Sequence, residues 1–316
     1  MLFSIVPKIR CRILMAFLFL FLLCAPSRAE RPLILVSPGP LILPAVALAE
    51  DSSIGMELWK NQEEAIARLL SGEAAAVVLP MTLGASAARK ADIVLLGVFR
   101  ERLFFLLSRE PISLASPEAL KGSELLLAQG RGTVLDFLVR AVLLNRGLDP
   151  EKDLRLVYAP APEAAMLFNQ GKHALAALPE PFATTALSAG GIRTDLQDVW
   201  SEGNARSSAL PVAGVFALRG YVEGAPQDAA RIVDALSRSS ASFVREPKQA
   251  CERAARLLNI KTNALEKALP HITIAFESAV SASEDVTALL SDFRKAVSTD
   301  VYDLPGPEFY HGGKLR

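Results

Sequence analysis

Four short turns hold the residues best suited to grip a small molecule, and each follows an apolar run that reads as a strand. Ser37-Pro38-Gly39-Pro40 follows "PLILV", Met81 and Thr82 follow "AAAVVLP", Gln129-Gly130-Arg131-Gly132-Thr133 follows "ELLLA", and Glu180 follows "ALAALP". The third turn is the richest. Glycine lets a backbone turn sharply and another group come close. The residues after it, "TVLDFLVRAVLLNR", carry apolar side chains at helical spacing. A helix start leaves N–H groups without intrahelical partners and carries a partial positive charge, which suits an anion. Thr133 supplies a hydroxyl and a helix N-cap. Arg131 supplies a planar guanidinium able to clasp a carboxylate, sulfonate or phosphate at two points. Glu180 offers a carboxylate to an amine or hydroxyl of a ligand, to a backbone N–H or to a hinge arginine, and Thr82 divides in the same way between ligand and local contact. The alternative for the glycine corner is a plain strand-to-helix turn with Thr133 as its cap.

Other chemistries lack their residues. His173, His271 and His311 stand at no metal-ligand spacing to one another or to Cys or carboxylate clusters, so no metal and no catalytic histidine are expected. The chain holds no G-x-S-x-G, no P-loop and no complete G-x-G-x-x-G, so neither a nucleophile elbow nor a nucleotide cofactor is expected. Basic residues form no block, which argues against nucleic acid as a partner.

These turns need elements to position them. The chain has 316 residues, 51% of them hydrophobic, enough for a sizeable core. Its first 29 residues read as a secretory signal peptide: Lys8, Arg10 and Arg12 precede an apolar run of 11 residues from Ile13 to Leu23, and Ser27-Arg28-Ala29 offers small residues at −3 and −1 of a cleavage site. That run is shorter than the roughly 20 residues a membrane-spanning helix needs. Cys24 raises lipid attachment as the alternative, but Leu23 and Phe21 stand where a lipoprotein signal prefers small residues. Removing the leader takes away four basic and no acidic residues, leaving a slight acidic excess. Only Cys251 then remains, in a helical pattern, as a buried apolar residue rather than a disulfide partner.

From residue 32 onward strand and helix patterns alternate, the signature of an α/β fold with mainly parallel sheets. The alternation restarts near residue 124, and after residue 219 the chain reads as helical. An internal echo divides it further. "LLSGEAAAVVLP" (69–80) and "LFNQGKHALAALP" (167–179) each place a helix-ending glycine eight residues before a proline, with a short apolar strand between. Two similar lobes follow, assigned to residues 30–110 with 212–316, and to 111–211. In open α/β sheets ligands bind outside the carboxyl ends of the strands, so two lobes with those edges facing would line a shared cleft.

Residues 120–187, with "LKGSELLLAQGRG", "GLDPEKD" and "GKHALAALPEP", resemble the second lobe of periplasmic solute-binding proteins of ABC transporters, of the nitrate, sulfonate and taurine type with relatives that bind a thiamine precursor. "LPGPEFYH" (304–311) is similar to their frequent ending. The resemblance implies two lobes joined by two crossovers, placed near 109–112 and 208–215, and capture of a small organic or anionic solute for an ABC permease by an exported monomer. It implies no catalysis and no cofactor. Ala174 and Ala75 stand where the family pattern has Asp, and the "SPGP" opening lacks a longer polar loop. A cofactor-biosynthetic enzyme on the same fold and a ligand sensor for a membrane receptor are the competing readings.

Overall fold

The computed structural model describes residues 31–112, 117–202, 207–258, 262–297 and 305–312. The expected leader and Cys24 lie outside these residues. From Pro32 onward the chain is one compact unit containing two sheets. The first has six strands in the order β11-β4-β10-β3-β1-β2, where β1 is Leu33–Val36, β2 Gly55–Leu58, β3 Ala76–Pro80, β4 Ile93–Arg102, β10 Leu210–Leu218 and β11 Thr273–Ser278. The second has five in the order β7-β6-β8-β5-β9, where β5 is Phe104–Ser108, β6 Glu124–Ala128, β7 Arg155–Ala159, β8 Leu175–Pro179 and β9 Ile192–Asp195.

Each sheet is mixed rather than mainly parallel. β2, β1 and β3 run parallel, as do β7, β6 and β8. β10 is antiparallel to β3 and β4, β11 to β4, and β5 to β8 and β9. The reason lies in the path of the chain. β4 carries it out of the first sheet and β10 brings it back, so these two must run in opposite directions. β5 leaves the junction at which β8 ends, so these two oppose as well.

The first crossing also sits earlier than expected. β4 ends at Arg102 and β5 opens at Phe104, which leaves Leu103 as the only residue between the sheets. Residues 109–112 follow β5 and lie beyond it. Arg109 works inside the second sheet's layer: its guanidinium donates to the carbonyls of Phe168, Asn169 and Gly190, capping the end of helix Ala161–Asn169, and it stacks on the Phe168 ring at 4.4 Å. The return crossing precedes Leu210, the first residue of β10.

The echo reappears as structure. Gly72 and Gly171 each follow a helix, with left-handed φ values of 76° and 75° that glycine adopts without strain. Pro80 and Pro179 are the last residues of β3 and β8. Successive side chains of a strand point to opposite faces, and the six-stranded sheet is covered on both. Ile34, Val36, Val78, Phe99 and Val215 join one core, which continues into the second sheet. Leu35, Val77, Leu79, Val98 and Phe216 join the other. Strands buried on both faces are apolar throughout, which is why "AVVL" and "IVLLGVF" show no alternation. Cys251 is buried, and burial pushes its thiol up to about 11.

Packing against helix Met81–Ala88 is close enough to require glycine. A Cβ at Gly84 would sit 2.0 Å from the Phe216 ring. Gly84→Ala should therefore destabilise the fold by about 1–3 kcal/mol, the usual cost of overpacking. Urea unfolding with an unchanged slope would register it as a lower midpoint.

Candidate functional site

Strand direction decides where the four turns meet. β4 runs with β3, because both are antiparallel to β10. The carboxyl ends of β1, β3 and β4 therefore share one edge of the first sheet, and β4 leaves from that edge at Leu103. In the second sheet Phe104 pairs with Pro179, and the Glu180 N–H donates to the Leu103 carbonyl at 2.9 Å. The carboxyl ends of β8 and its parallel neighbour β6 thus border the same junction. The turns at 37–40 and 80–82 and those at 129–133 and 180–181 occupy the two edges that the crossover joins.

Gln197 pins that junction. Its side chain has no exposure, and its Oε1 accepts from the N–H groups of Leu103 at 2.8 Å and Phe104 at 3.2 Å. Its Nε2 donates to the carbonyls of Glu101 at 2.6 Å and Ser208 at 2.8 Å. One amide thereby holds the outgoing strand and the return segment together.

The 129–133 corner is held by a polar network. Thr133 caps helix Val134–Asn145: its Oγ1 accepts from the Asp136 N–H at 3.4 Å and donates to the Gly130 carbonyl at 2.8 Å. Asp136 reaches back to accept from the Gly132 N–H at 2.9 Å, one residue before the cap, and so ties the turn to the first turn of the helix. Its other oxygen takes Arg140 Nε at 2.8 Å and Tyr158 Oη at 2.7 Å. Arg140 also donates to Tyr158 and, at 2.6 Å, to Glu151. Burial opposes the Arg140 charge, but Tyr158, Asp136 and Glu151 outweigh it and keep the group above its ordinary range. Arg140 in turn holds the Glu151 carboxyl below its usual range. The network fixes the backbone while leaving the amides of Val134 and Leu135, the first two helical residues, without intrahelical partners. Gly132 has φ of 81°, the left-handed value that favours glycine, and Gln129 sustains 71° without being glycine. Non-glycine residues in that region are uncommon and cluster at functional sites.

The other expected site residues divide. Ser37, Gly39 and Pro40 are half-buried at the end of β1, and Thr82 is buried at the end of β3. Gln129 and Gly130 are exposed, and Gly132 and Thr133 half-buried. Arg131 is exposed at the rim and pairs with Glu151 at 2.7 Å. Two expectations are corrected. The Met81 side chain is fully buried in the core with Leu79, Ala85 and Phe216, because it opens a helix packed on that face. Glu180 is fully buried and accepts from Arg193, from the Thr184 N–H at 3.0 Å and from Thr184 Oγ1 at 2.9 Å, so it serves an arginine of β9 and the local helix. Burial raises its pKa, and Thr184 and Arg193 offset part of the rise.

Sequence reasoning missed Asp136, Arg140, Tyr158, Gln197 and Glu101. The T-x-x-D spacing and the four-residue step from Asp136 to Arg140 were available signals. Gln197 gave none. Glu101 reads as a solvated charge between Arg100 and Arg102, yet it is 5% exposed, and burial alone pushes its carboxyl up to about 8. Among the described residues no group of His, Cys, Asp and Glu could hold a metal ion, and no helix is long and apolar enough to cross a membrane.

Residues 113–259 match the model of the NMT1-like family. Among solved structures, the chain is similar to an ABC transporter from Parabacteroides distasonis, with 23% identity over 88% of this chain and 98% of that one and a TM-score of 0.69. It is similar to the periplasmic aliphatic sulphonate binding protein SsuA from Escherichia coli, at 17% identity over 86% and 95% and a TM-score of 0.68. A third is the periplasmic nitrate-binding protein NrtA from Synechocystis PCC 6803, at 11% identity over 85% and 83% and a TM-score of 0.62. The chain has the fold of periplasmic solute-binding proteins. The resemblance read from residues 120–187 thus extends to the whole two-sheet unit. No curated protein sequence matches the chain. In this solute-binding fold the four turns fall at the junction of the two halves.

Two outcomes test the site's chemistry. Asp136→Ala would take from the buried Arg140 one of its two carboxylate partners and from Tyr158 its acceptor, and should cost about 1.5–3 kcal/mol, whereas Arg131→Ala breaks an exposed pair and should cost about 0–1 kcal/mol. Chemical denaturation separates the two. Glu101 has a folded-state pKa above the unfolded carboxylate value, so between about 4.5 and about 8 the folded state holds the extra proton. Stability from this group is full at the acid end and is lost as pH rises through that window. Melting curves should show wild type losing stability relative to Glu101→Gln from pH 5 to pH 8, and parallel curves would contradict the assignment.

Proposed function

We propose that the chain is an extracytoplasmic solute-binding protein without catalysis, which captures a small organic or anionic solute at the junction of its two sheets and delivers it to an ABC permease. The observation that carries this reading is the convergence of both sets of strand ends on the crossover at Leu103. A solute lodged there would touch both halves, and a solute that interacts better with the closed arrangement than the open one shifts the population towards closure. A closed form differs in shape from an open one, which gives a membrane permease something to recognise. Export through a cleaved leader and a monomeric state belong to the same proposal.

The chemistry offered to the solute is modest in charge. Met81 and Glu180 are turned inward, and Arg131 is shared with Glu151. The candidates that remain are the amides of Val134 and Leu135, the Thr133 and Ser37 hydroxyls, Thr82, Gly39, Pro40, Gln129, Gly130 and Gly132. Backbone amides at a helix start favour an anionic group, and the apolar turn residues favour a small organic body.

A thermal-shift screen of alkanesulfonates, carboxylates and nitrate identifies binders, since a ligand of the folded state raises apparent stability by mass action. Gly130 then supplies a clean probe, because a Cβ there meets nothing within 4 Å and its φ is ordinary. Gly130→Glu should fold normally yet weaken an anionic binder at least about tenfold, ~1.4 kcal/mol, in titration calorimetry. Undiminished affinity in that variant would remove the 129–133 corner from the site.

A further inference from the structure

Among the described residues at the junction, the carboxyl of Glu101 keeps one oxygen that the fold leaves unused. The residue is 5% exposed, and its Oε1 is buried without a hydrogen-bond partner. Burial raises the pKa of its carboxyl. Buried polar groups are nearly always partnered, and each exception asks for an explanation. An unpaired acceptor carries a desolvation cost that a matching donor would remove.

Its direction follows from its neighbours. Arg100 turns to Glu277 and, at 2.6 Å, to Asp285. Arg102 turns to Asp198 and, at 2.9 Å, to Asp195. Residues alternate along a strand, so Glu101 points to the opposite face. Its cross-strand partners there are Leu210 on β10 and Ile274 on β11, both buried in the core. Helix Ile42–Ala45 packs on this same face, against β11 and helix Pro226–Arg245. That helix is the one into which the 37–40 turn leads. The acid therefore stands beside the crossover, on the face over which one wall of the candidate site folds, with its own carbonyl held by Gln197.

We propose that Glu101 is the recognition acid of this site and that the solute carries a protonated amine, whose N–H groups donate to the Glu101 carboxylate. The inference rests on the solute-binding reading and narrows its ligand class. An ammonium has three donors and no acceptor, and an ionised carboxylate accepts at both oxygens, so the two match. A nearby positive charge also favours the ionised acid. The docking ammonium thus displaces the carboxyl proton, which passes to the buffer while the amine keeps its own.

Matched solutes test this: β-alanine against propionate, and homotaurine against propanesulfonate, titrated into wild type and Glu101→Gln in two buffers of different ionisation enthalpy. The amine member of at least one pair should bind wild type ten times or more tighter than its partner. Its heat should vary with the buffer, reporting a released proton. Glu101→Gln, nearly isosteric and with no buried charge to form, should fold as well as wild type, lose that preference by tenfold or more and show no buffer dependence. Equal binding of amine and non-amine members, or a preference that survives in Glu101→Gln, would overturn the inference and leave the solute-binding reading standing. Absence of binding by all four solutes, and by every anion of the wider screen, would overturn that reading instead.

Discussion

Everything about the junction depends on one buried amide. Gln197 accepts from the first residues beyond the outgoing strand and donates to the carbonyls of Glu101 and Ser208. Both crossovers are thereby tied to one side chain on helix Leu196–Glu202. A crossover of a single residue, Leu103, leaves four polar backbone groups close together where ladder pairing is interrupted, and buried groups of this kind must find partners. Gln197 satisfies them from the second sheet's layer. The register Phe104 to Pro179 follows, and with it the position of every strand end that faces the junction. The sheets are joined at one point, where Gln197 holds both crossing segments.

Around this pivot the charged groups are mostly occupied with one another. Arg102 spans to Asp195 and Asp198, Arg193 to Glu180, and Arg140 to Asp136 and Glu151. Phe293, on the long helix Ala279–Val297, meets Phe137 of the helix after β6 with ring centroids 5.6 Å apart. These contacts shape the two edges without presenting free charge to a solute. Beside a few hydroxyls and the Glu101 carboxyl, what the edges offer is backbone: a capped helix start, a left-handed Gln129 and glycines with open space beside them. A site made this way is stiff because Asp136, Arg140 and Tyr158 fix the turn from behind, and a pre-fixed site loses less freedom on binding.

Much of this was legible in the residues, and the failures have physical causes. The glycine-to-proline echo gave both helix ends and both strand ends, because left-handed glycine and a terminal strand proline are local requirements that any chain must meet with those residues. Thr133 announced its cap for the same reason. The crossing was misplaced because "VFRERLFFLLS" continues as extended chain through Leu103, so nothing in composition marks the change of sheet. β11 was read as part of a helical region, although Ile274 lies buried between exposed Thr273 and Ala275 in a strand's alternation. Met81 is placed correctly along the chain but turns the other way, and Glu180 takes the backbone N–H and arginine among its alternatives rather than the ligand, since spacing alone does not say which way a side chain turns at a strand end. Glu101 and Gln197 were invisible: a charge flanked by arginines and a glutamine in "DLQDVW" both look solvated until the return strand is laid beside them.

The central claim is that one solute engages both sheet edges about the Gln197 pivot. Amide hydrogen exchange, measured with and without a solute that raises the melting temperature, tests it most directly, since protection reports local opening segment by segment. The account predicts that residues 37–43 and 129–136, which lie on different sheets, gain protection together at one ligand concentration. Protection confined to one of the two segments, or appearing only on surfaces remote from Leu103, would contradict it.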